Sequence, residues 1–151
     1  MLAEMNKKLK YNPEDRFICL VAEPRNSIFG TTQNNDNKTG ESTVAGVIEV
    51  SYIDEKEVLS SLDPGTTGVA YIQSMAVDPA LRRQGIASTM LSAAERVARE
   101  WAEQLAVLHV YQDNTKAIEL YKKAGFAVIF QDAPWLAKLA VRPRFLMRKD
   151  F

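Results

Sequence analysis

The chain has 151 residues, 46% of them hydrophobic, which predicts one domain over residues 1–151 with an ordinary core. Its 19 basic and 19 acidic side chains cancel, which argues against nucleic-acid binding because that function usually needs a basic excess. A single cysteine, Cys19, excludes an internal disulfide and a multi-cysteine zinc site. No apolar run approaches a membrane span and no signal peptide is recognisable, so we expect a soluble, intracellular protein.

The order of predicted elements combines antiparallel hairpins with one strand–helix–strand crossover. Hydrophobic spacing predicts helices at residues 2–11, 85–104 and 114–124, and strands at 17–22, 43–53, 68–77, 105–111, 126–130 and 142–151. The polar segment 24–42 predicts a mobile hairpin loop. The strand at 17–22 is an unbroken apolar run, so we expect it to be buried, with Cys19 as an inert thiol. In the helix at 85–104 the apolar stripe runs from Met90 to Trp101, and Glu95 lies off it.

The segment from Met75 to Ser88 ends a strand, turns, and begins a helix with small residues. The first turn of a helix leaves backbone N–H groups unpaired and carries about half a positive charge, which favours phosphate binding. Gly85 and Ala87 would let a ligand approach the backbone, and Arg82 and Arg83 add charge. A tight turn with solvated arginines is the structural alternative. Neither the dinucleotide-binding fingerprint nor the Walker loop fits this segment.

Two motifs stand in order along the chain. They are Arg82-x-x-Gly85-x-Ala87 and Asn114-x-x-Ala117-Ile118-x-Leu120-Tyr121-x-x-x-Gly125-Phe126. The first resembles the signature (Gln/Arg)-x-x-Gly-x-(Gly/Ala) of the GNAT superfamily of N-acetyltransferases, and the second resembles that family's second motif. The resemblance covers about residues 16–130, and the segment 142–147 is more loosely similar to plastid members.

The resemblance implies an α+β fold with a central mixed, mostly antiparallel sheet flanked by helices. The family's fourth and fifth strands are parallel and splay apart, and here they would be residues 68–77 and 105–111. The N-terminal strand and first helix of the family are expected to be missing before residue 16, either because the sequence is trimmed or because this member has lost the strand. The missing region usually forms one wall of the acceptor site, and the segments 24–42 and 54–67 would replace part of that wall.

The resemblance also implies acetyl-CoA as co-substrate, bound in the gap between those two strands, with no metal. Backbone groups of one strand would hold the pantetheine chain, loop amides the pyrophosphate, and an asparagine the pantetheine or adenosine part. These positions are Met75, Ala76, Val77, Arg82, Arg83, Gln84, Gly85, Ile86, Ala87, Ser88 and Asn114. For Asn114 a helix cap is the structural alternative.

Three side chains are candidates for proton transfer. Tyr121 lies where the family places a general acid that protonates the CoA thiolate; core packing is its alternative. His109, in Leu108-His109-Val110-Tyr111, occupies the slot of the glutamate in the Leu-Glu-Val-Arg of ribosomal-protein N-terminal acetyltransferases, and imidazole titrates near neutrality. Glu49 is the other candidate base, and a solvent-facing strand residue is its alternative.

Together these features predict transfer of an acetyl group to a primary amine, a protein α-amine or a lysine ε-amine, by direct attack in a ternary complex. A small-molecule amine acceptor, and a non-catalytic acyl-CoA-binding or interaction module with the same fold, remain alternatives. A phosphate-binding protein of another family is a third. Neither nucleic acid nor membrane is expected as a partner, and the compartment would be the cytoplasm or the plastid stroma.

Overall fold

A computed structural model describes residues 16–23, 44–101 and 103–151, and within these ranges the chain forms a six-stranded sheet. The sheet order is β1-β2-β3-β4-β6-β5. Neighbouring strands are antiparallel except for β3 and β4, which are parallel. The strands are β1 Phe17–Ala22, β2 Gly46–Ile53, β3 Val69–Val77, β4 Leu105–Tyr111, β5 Ala127–Gln131 and β6 Arg144–Asp150. The predicted fold class is confirmed.

Three α-helices and two 3₁₀ turns connect the strands that the structure describes. The helices are α1 Lys56–Leu59, α2 Ile86–Glu100 and α3 Thr115–Lys123, and the 3₁₀ turns are Pro79–Leu81 and Pro134–Leu139. Helix α1 was not predicted, because a single turn gives no hydrophobic period. The predicted helix at 2–11 and loop at 24–42 lie outside the described residues. Within the described ranges, none of the helices is long and apolar enough to cross a membrane.

The ends of α3 follow from its sequence. The Asn114 side chain accepts a hydrogen bond from the Ala117 N–H at 3.3 Å, so one of the unpaired donors of the first turn is satisfied. Gly125 follows the helix with φ +95°, a left-handed conformation that costs glycine little. Local chemistry therefore sets both ends of the helix within a residue or two of the prediction.

The two faces of the sheet carry separate hydrophobic clusters. Helices α2 and α3 cover one face, where Leu91 and Ala94 of α2 pack against Ile48 and Leu108 of the sheet, all nearly inaccessible to solvent. On the other face, Val58 of α1 packs with a smaller cluster formed by Val69, Leu105, Val107 and Leu146. Because side chains alternate along a strand, His109 belongs to this second face.

Strand β1 corrects an expectation. Its apolar run predicts burial, yet Cys19 is exposed, as are Ile18 (39%) and Val21 (52%). Among the described strands, β1 is at the edge of the sheet and pairs only with β2, so no other described strand flanks its side chains. Hydrophobicity located the strand but did not fix its place in the sheet.

Glu95 lies off the apolar stripe of α2 in the sequence but is 7% exposed in the structure. Its Oε2 lies 2.7 Å from the Lys149 Nζ of β6, so the buried carboxylate is paired. This ion pair joins the long helix to the strand beside β4.

Replacing Lys149 with methionine should destabilise the protein, because the buried Glu95 carboxylate would lose its partner. We expect the free energy of unfolding to fall by about 2 kcal/mol, less than the roughly 3–5 kcal/mol for a fully buried pair, because Lys149 keeps some solvent contact. Urea denaturation measures the change. Lys149→Arg, which keeps the charge, and Lys122→Met, at an exposed position, are the controls. An unchanged urea midpoint for Lys149→Met would show that the pair contributes no stability.

Candidate active site

A wedge opens between the parallel strands. The ladder between β3 and β4 contains only the pairs Ala70–Ala106 and Tyr71–Val107, although β3 continues to Val77 and β4 to Tyr111. The backbone edge of β3 beyond Tyr71 is therefore not paired with β4. This edge includes Met75, Ala76 and Val77, the positions expected to contact the pantetheine chain.

A β-bulge accompanies the opening. On the other side of β3, Glu49 pairs with Gln73 and Val47 with Ala76, so β3 has one residue more than β2 over this stretch. Ser74 lies within the bulge and has a left-handed φ of 54°. A bulge bends its strand and increases the local twist, which explains why β3 leaves β4 here.

The loop that follows β3 is held by three local features. The Asp78 side chain accepts from the Ala80 N–H at 2.8 Å, Arg82 Nε donates to the Val77 carbonyl at 3.2 Å, and Gly85 has φ +81° directly before α2. No side chain caps the first turn of α2, so the expected phosphate loop, residues 83–88, presents backbone donors. The Arg82 side chain fastens the loop to the end of β3, and Arg83 adopts a left-handed φ of 67°.

Tyr71 and His109 meet at the vertex of the wedge. The Tyr71 hydroxyl lies 2.8 Å from Nδ1 of His109, and the two rings are edge to face at 5.8 Å. The parallel register causes this contact: Tyr71 is opposite Val107, and His109 follows two residues later on the same face. The sequence predicts no role for Tyr71, because no local pattern gives the register of two distant strands.

The surroundings keep this pair in its uncharged form near neutral pH. Burial lowers the pKa of His109, and the positive charge of Arg144 acts in the same direction, against Asp132 and Glu57. Burial raises the pKa of Tyr71; Glu55 adds to this rise, whereas Arg144 and the hydrogen bond to His109 oppose it. With the phenol as donor, the neutral imidazole has Nδ1 as its acceptor.

Tyr121 lies on α3 and is buried, with 8% of its surface exposed. Its ring packs edge to face against Phe126 at 6.1 Å, as the core-packing interpretation expects. Burial raises its pKa, and Tyr71 is near enough to raise it further. Tyr121 therefore keeps its phenolic proton at neutral pH. It belongs to the hydrophobic cluster on the face covered by α2 and α3, whereas Tyr71 packs with the cluster on the other face.

The structure locates the remaining candidates. Glu49 is 9% exposed, so the interpretation as a solvent-facing residue is wrong; it is on β2, two strands away from His109. The helix-cap interpretation of Asn114 is confirmed, and its contact with a ligand stays a prediction. Within residues 16–23, 44–101 and 103–151, no three His, Cys, Asp or Glu side chains form a group that could hold a metal ion.

The sheet is mixed, and its two parallel strands separate after two residue pairs. A turn at Gly85 then leads from the first of these strands into the long helix α2. These features define the class of GNAT-type folds. The chain belongs to the acetyltransferase (GNAT) family, whose family model matches residues 4–126. This confirms the family suggested by the two sequence motifs.

Curated relatives and solved structures agree with this assignment. GCN5-related N-acetyltransferase 10, chloroplastic, of Arabidopsis thaliana is 34% identical over 153 residues, covering 100% of this chain and 56% of the relative. GCN5-related N-acetyltransferase 4, chloroplastic, of the same plant is 36% identical, covering 74% of this chain and 42% of the relative. The chain thus spans about half the length of these curated relatives.

Two solved structures share the fold. Chaetomium thermophilum Naa20 in complex with a bisubstrate analogue has a TM-score of 0.70 at 21% identity, covering 100% of this chain and 73% of that one. Arabidopsis thaliana NAA60 in complex with acetyl-CoA has a TM-score of 0.72 at 16% identity, covering 99% and 83%. At these identities the likeness concerns the fold.

Proposed function

We propose that this protein transfers an acetyl group from acetyl-CoA to a primary amine of a protein, an α-amine or a lysine ε-amine, by direct attack in a ternary complex. The observation that carries this proposal is the 2.8 Å contact between Tyr71 and His109 beside the opening between β3 and β4, with Tyr121 near enough for Tyr71 to raise its pKa. The family membership and the relatives described as N-acetyltransferases support it, as do fold neighbours solved with acetyl-CoA or a bisubstrate analogue.

The wedge suits acetyl-CoA. The backbone edge at Met75, Ala76 and Val77 offers groups that β4 does not pair, although the Val77 carbonyl already accepts from Arg82. The amides of residues 83–88 and the N-terminus of α2 favour a pyrophosphate, and Arg83 adds a positive charge. In this arrangement Arg82 shapes the loop, and Asn114 borders the ligand while capping α3.

Acetyl-CoA supplies a thioester whose carbonyl carbon bonds to the amine nitrogen as the C–S bond breaks and CoA leaves as a thiolate. The amine attacks in its neutral form, after its ammonium proton has gone to solvent, and Tyr71 takes the second proton from the nitrogen while passing its own hydroxyl proton to Nδ1 of His109. Tyr121 gives its hydroxyl proton to the leaving sulfur and regains one from solvent as His109 releases its own. A neutral imidazole and a protonated phenol are the states that these steps require, and the surroundings favour both.

The acidic residues of the segment 54–59 affect which charge on the acceptor amine the site favours. Glu55 acts electrostatically on Tyr71, and Glu57 on His109, so negative charge borders the pair. Such a border favours a cationic acceptor. At pH 7, deprotonation costs about 1 kcal/mol for an α-amine and about 4–5 kcal/mol for a lysine, so the acceptor class decides how much of the acceptor is present as the reactive neutral amine.

Release of CoA thiol from acetyl-CoA tests the proposal. The panel contains a lysine-free peptide with a free N-terminus, the same peptide with a blocked N-terminus and one lysine, and a polyamine. Calorimetric binding of acetyl-CoA is measured in parallel. Turnover on either peptide supports the proposal, and turnover on the polyamine alone would indicate a small-molecule enzyme. Binding without any turnover would indicate a non-catalytic acyl-CoA-binding module. Stabilisation by ATP but not by acetyl-CoA would indicate a phosphate-binding protein with another function.

Gly85 and Gly65 offer a matched pair for the phosphate loop. Both have positive φ, +81° and +94°, and a Cβ added at either meets nothing within 4 Å. Each Gly→Ala change should therefore cost a similar strain of about 1 kcal/mol in unfolding free energy. We expect only Gly85→Ala to weaken acetyl-CoA binding, as measured by calorimetry. Equal affinities in the two variants would remove Gly85 from the binding site.

We propose the plastid stroma over the cytoplasm as the compartment, because the curated relatives are described as chloroplastic. Fractionation of the source cells with an antibody against this chain tests the location. Recovery outside the plastid fraction would contradict it.

A further inference from the structure

Arg144 of β6 lies beside the Tyr71–His109 pair on the same face of the sheet. His109 is opposite Leu146 in the β4–β6 ladder, and Arg144, two residues from Leu146, therefore occupies the diagonal position on His109's face. Residues in such diagonal positions are within reach of long side chains. This position on the ladder is consistent with the electrostatic effect of the Arg144 charge on the imidazole.

Asp132 and Gln112 hold Arg144 in place. An Asp132 carboxylate oxygen accepts from the Arg144 backbone N–H at 2.9 Å and lies 3.5 Å from its Nε. The Gln112 side-chain amide donates to the backbone carbonyls of Asp132, at 2.9 Å, and Arg144, at 3.3 Å. These hydrogen bonds fix the backbone of Arg144. Its side chain is 41% exposed, and that of Asp132 is 21% exposed.

The titratable groups that interact with the Tyr71–His109 pair come from several elements. Glu57, in the segment 54–59, and Asp132, after β5, act on His109, Glu55 acts on Tyr71 of β3, and Tyr71 in turn acts on Tyr121 of α3. Burial is the larger cause of the lowered pKa of His109; Arg144 adds to it, and Asp132 and Glu57 oppose it. Arg144 also lowers the pKa of Tyr71 against the effects of burial and Glu55. Arg144 is thus a cation that acts on both members of the pair.

We propose that Arg144, anchored by Asp132, is a positioning residue that keeps His109 uncharged and ready to accept a proton. The same charge favours the Tyr71 oxygen while its proton moves to Nδ1. This proposal rests on the proposed function, in which the pair removes the amine proton. Asp132 moderates the effect because its own charge has the opposite sign, so the two residues set the working pH together.

The chain has a single histidine, so imidazole NMR signals report its titration without assignment. We expect Arg144→Gln to raise the pKa of His109, Arg144→Lys to leave it near the wild-type value, and Asp132→Asn to lower it. Arg142→Gln is the control, because Arg142 is bound to Asp113 and stacks on Tyr111. Urea denaturation of each variant separates electrostatic effects from loss of folding.

Activity against pH completes the test. The acid limb of kcat/KM should move to higher pH in Arg144→Gln, return in Arg144→Lys, and move to lower pH in Asp132→Asn. An unmoved histidine pKa in Arg144→Gln would overturn the proposal, as would a moved pKa that the acid limb does not follow. Absence of turnover in the wild-type protein would instead overturn the proposed function, since the NMR titration does not depend on activity.

Discussion

Tyr121→Phe is expected to lower kcat for acetyl transfer by about 10²–10³-fold, the scale of a lost general acid, with acetyl-CoA affinity nearly unchanged. Phenylalanine keeps the ring that packs on Phe126 and removes only the hydroxyl. The leaving thiolate must then take its proton from water. Steady-state thiol release at saturating acetyl-CoA, with calorimetry for affinity, measures the two quantities separately.

Tyr111→Phe provides the control for Tyr121→Phe. Tyr111 is on β4 with 42% of its surface exposed, and its ring lies under Arg142, so losing its hydroxyl should leave kcat unchanged. If Tyr121→Phe also keeps full kcat, the core-packing interpretation of Tyr121 is correct and another group protonates the sulfur. A drop in affinity with unchanged kcat would place the hydroxyl in binding instead of proton transfer.

Replacing the base pair is expected to have the other large effect. His109→Gln and Tyr71→Phe should each lower kcat/KM at neutral pH by about 10²-fold, because each removes one end of the 2.8 Å contact. The double variant should lose little more than either single one, since groups that relay one proton act as a unit. Losses that add in full would contradict the relay.

The pH dependence has a defined sign. The pKa of His109 is lowered from 6.5 in the folded protein, so the neutral imidazole persists at mildly acidic pH and kcat/KM falls only below that value. The unfolded chain then binds more protons than the folded chain as pH falls through 6.5, so stability decreases on acidification. His109→Gln should remove both effects.

Glu49 is the alternative general base that could produce the acid limb of the kcat/KM profile against pH. If the acid limb persists in His109→Gln and disappears in Glu49→Gln, the carboxylate two strands away carries the proton transfer. If it disappears in His109→Gln and persists in Glu49→Gln, the histidine does. Measuring both variants against the same acceptor peptide makes the comparison direct.

Short-range features of this chain were predictable from its sequence. The end of α3 at Gly125, the cap at Asn114 and the left-handed Gly85 before α2 follow from the conformations that a few neighbouring residues allow. Five of the six strands follow from their apolar runs, whereas β6 contains only three consecutive apolar residues between charged ones. The two motifs, read together, also gave the family and the parallel strand pair.

Long-range pairing decided the rest. The contact between Tyr71 and His109 needs the register of strands 38 residues apart, the burial of Glu95 needs Lys149 at a separation of 54 residues, and the exposure of Cys19 needs the place of β1 at the sheet edge. No window of sequence contains these relations. They arise when the whole sheet selects the pairing that buries the most apolar surface, and that selection gives the proposed base its partner.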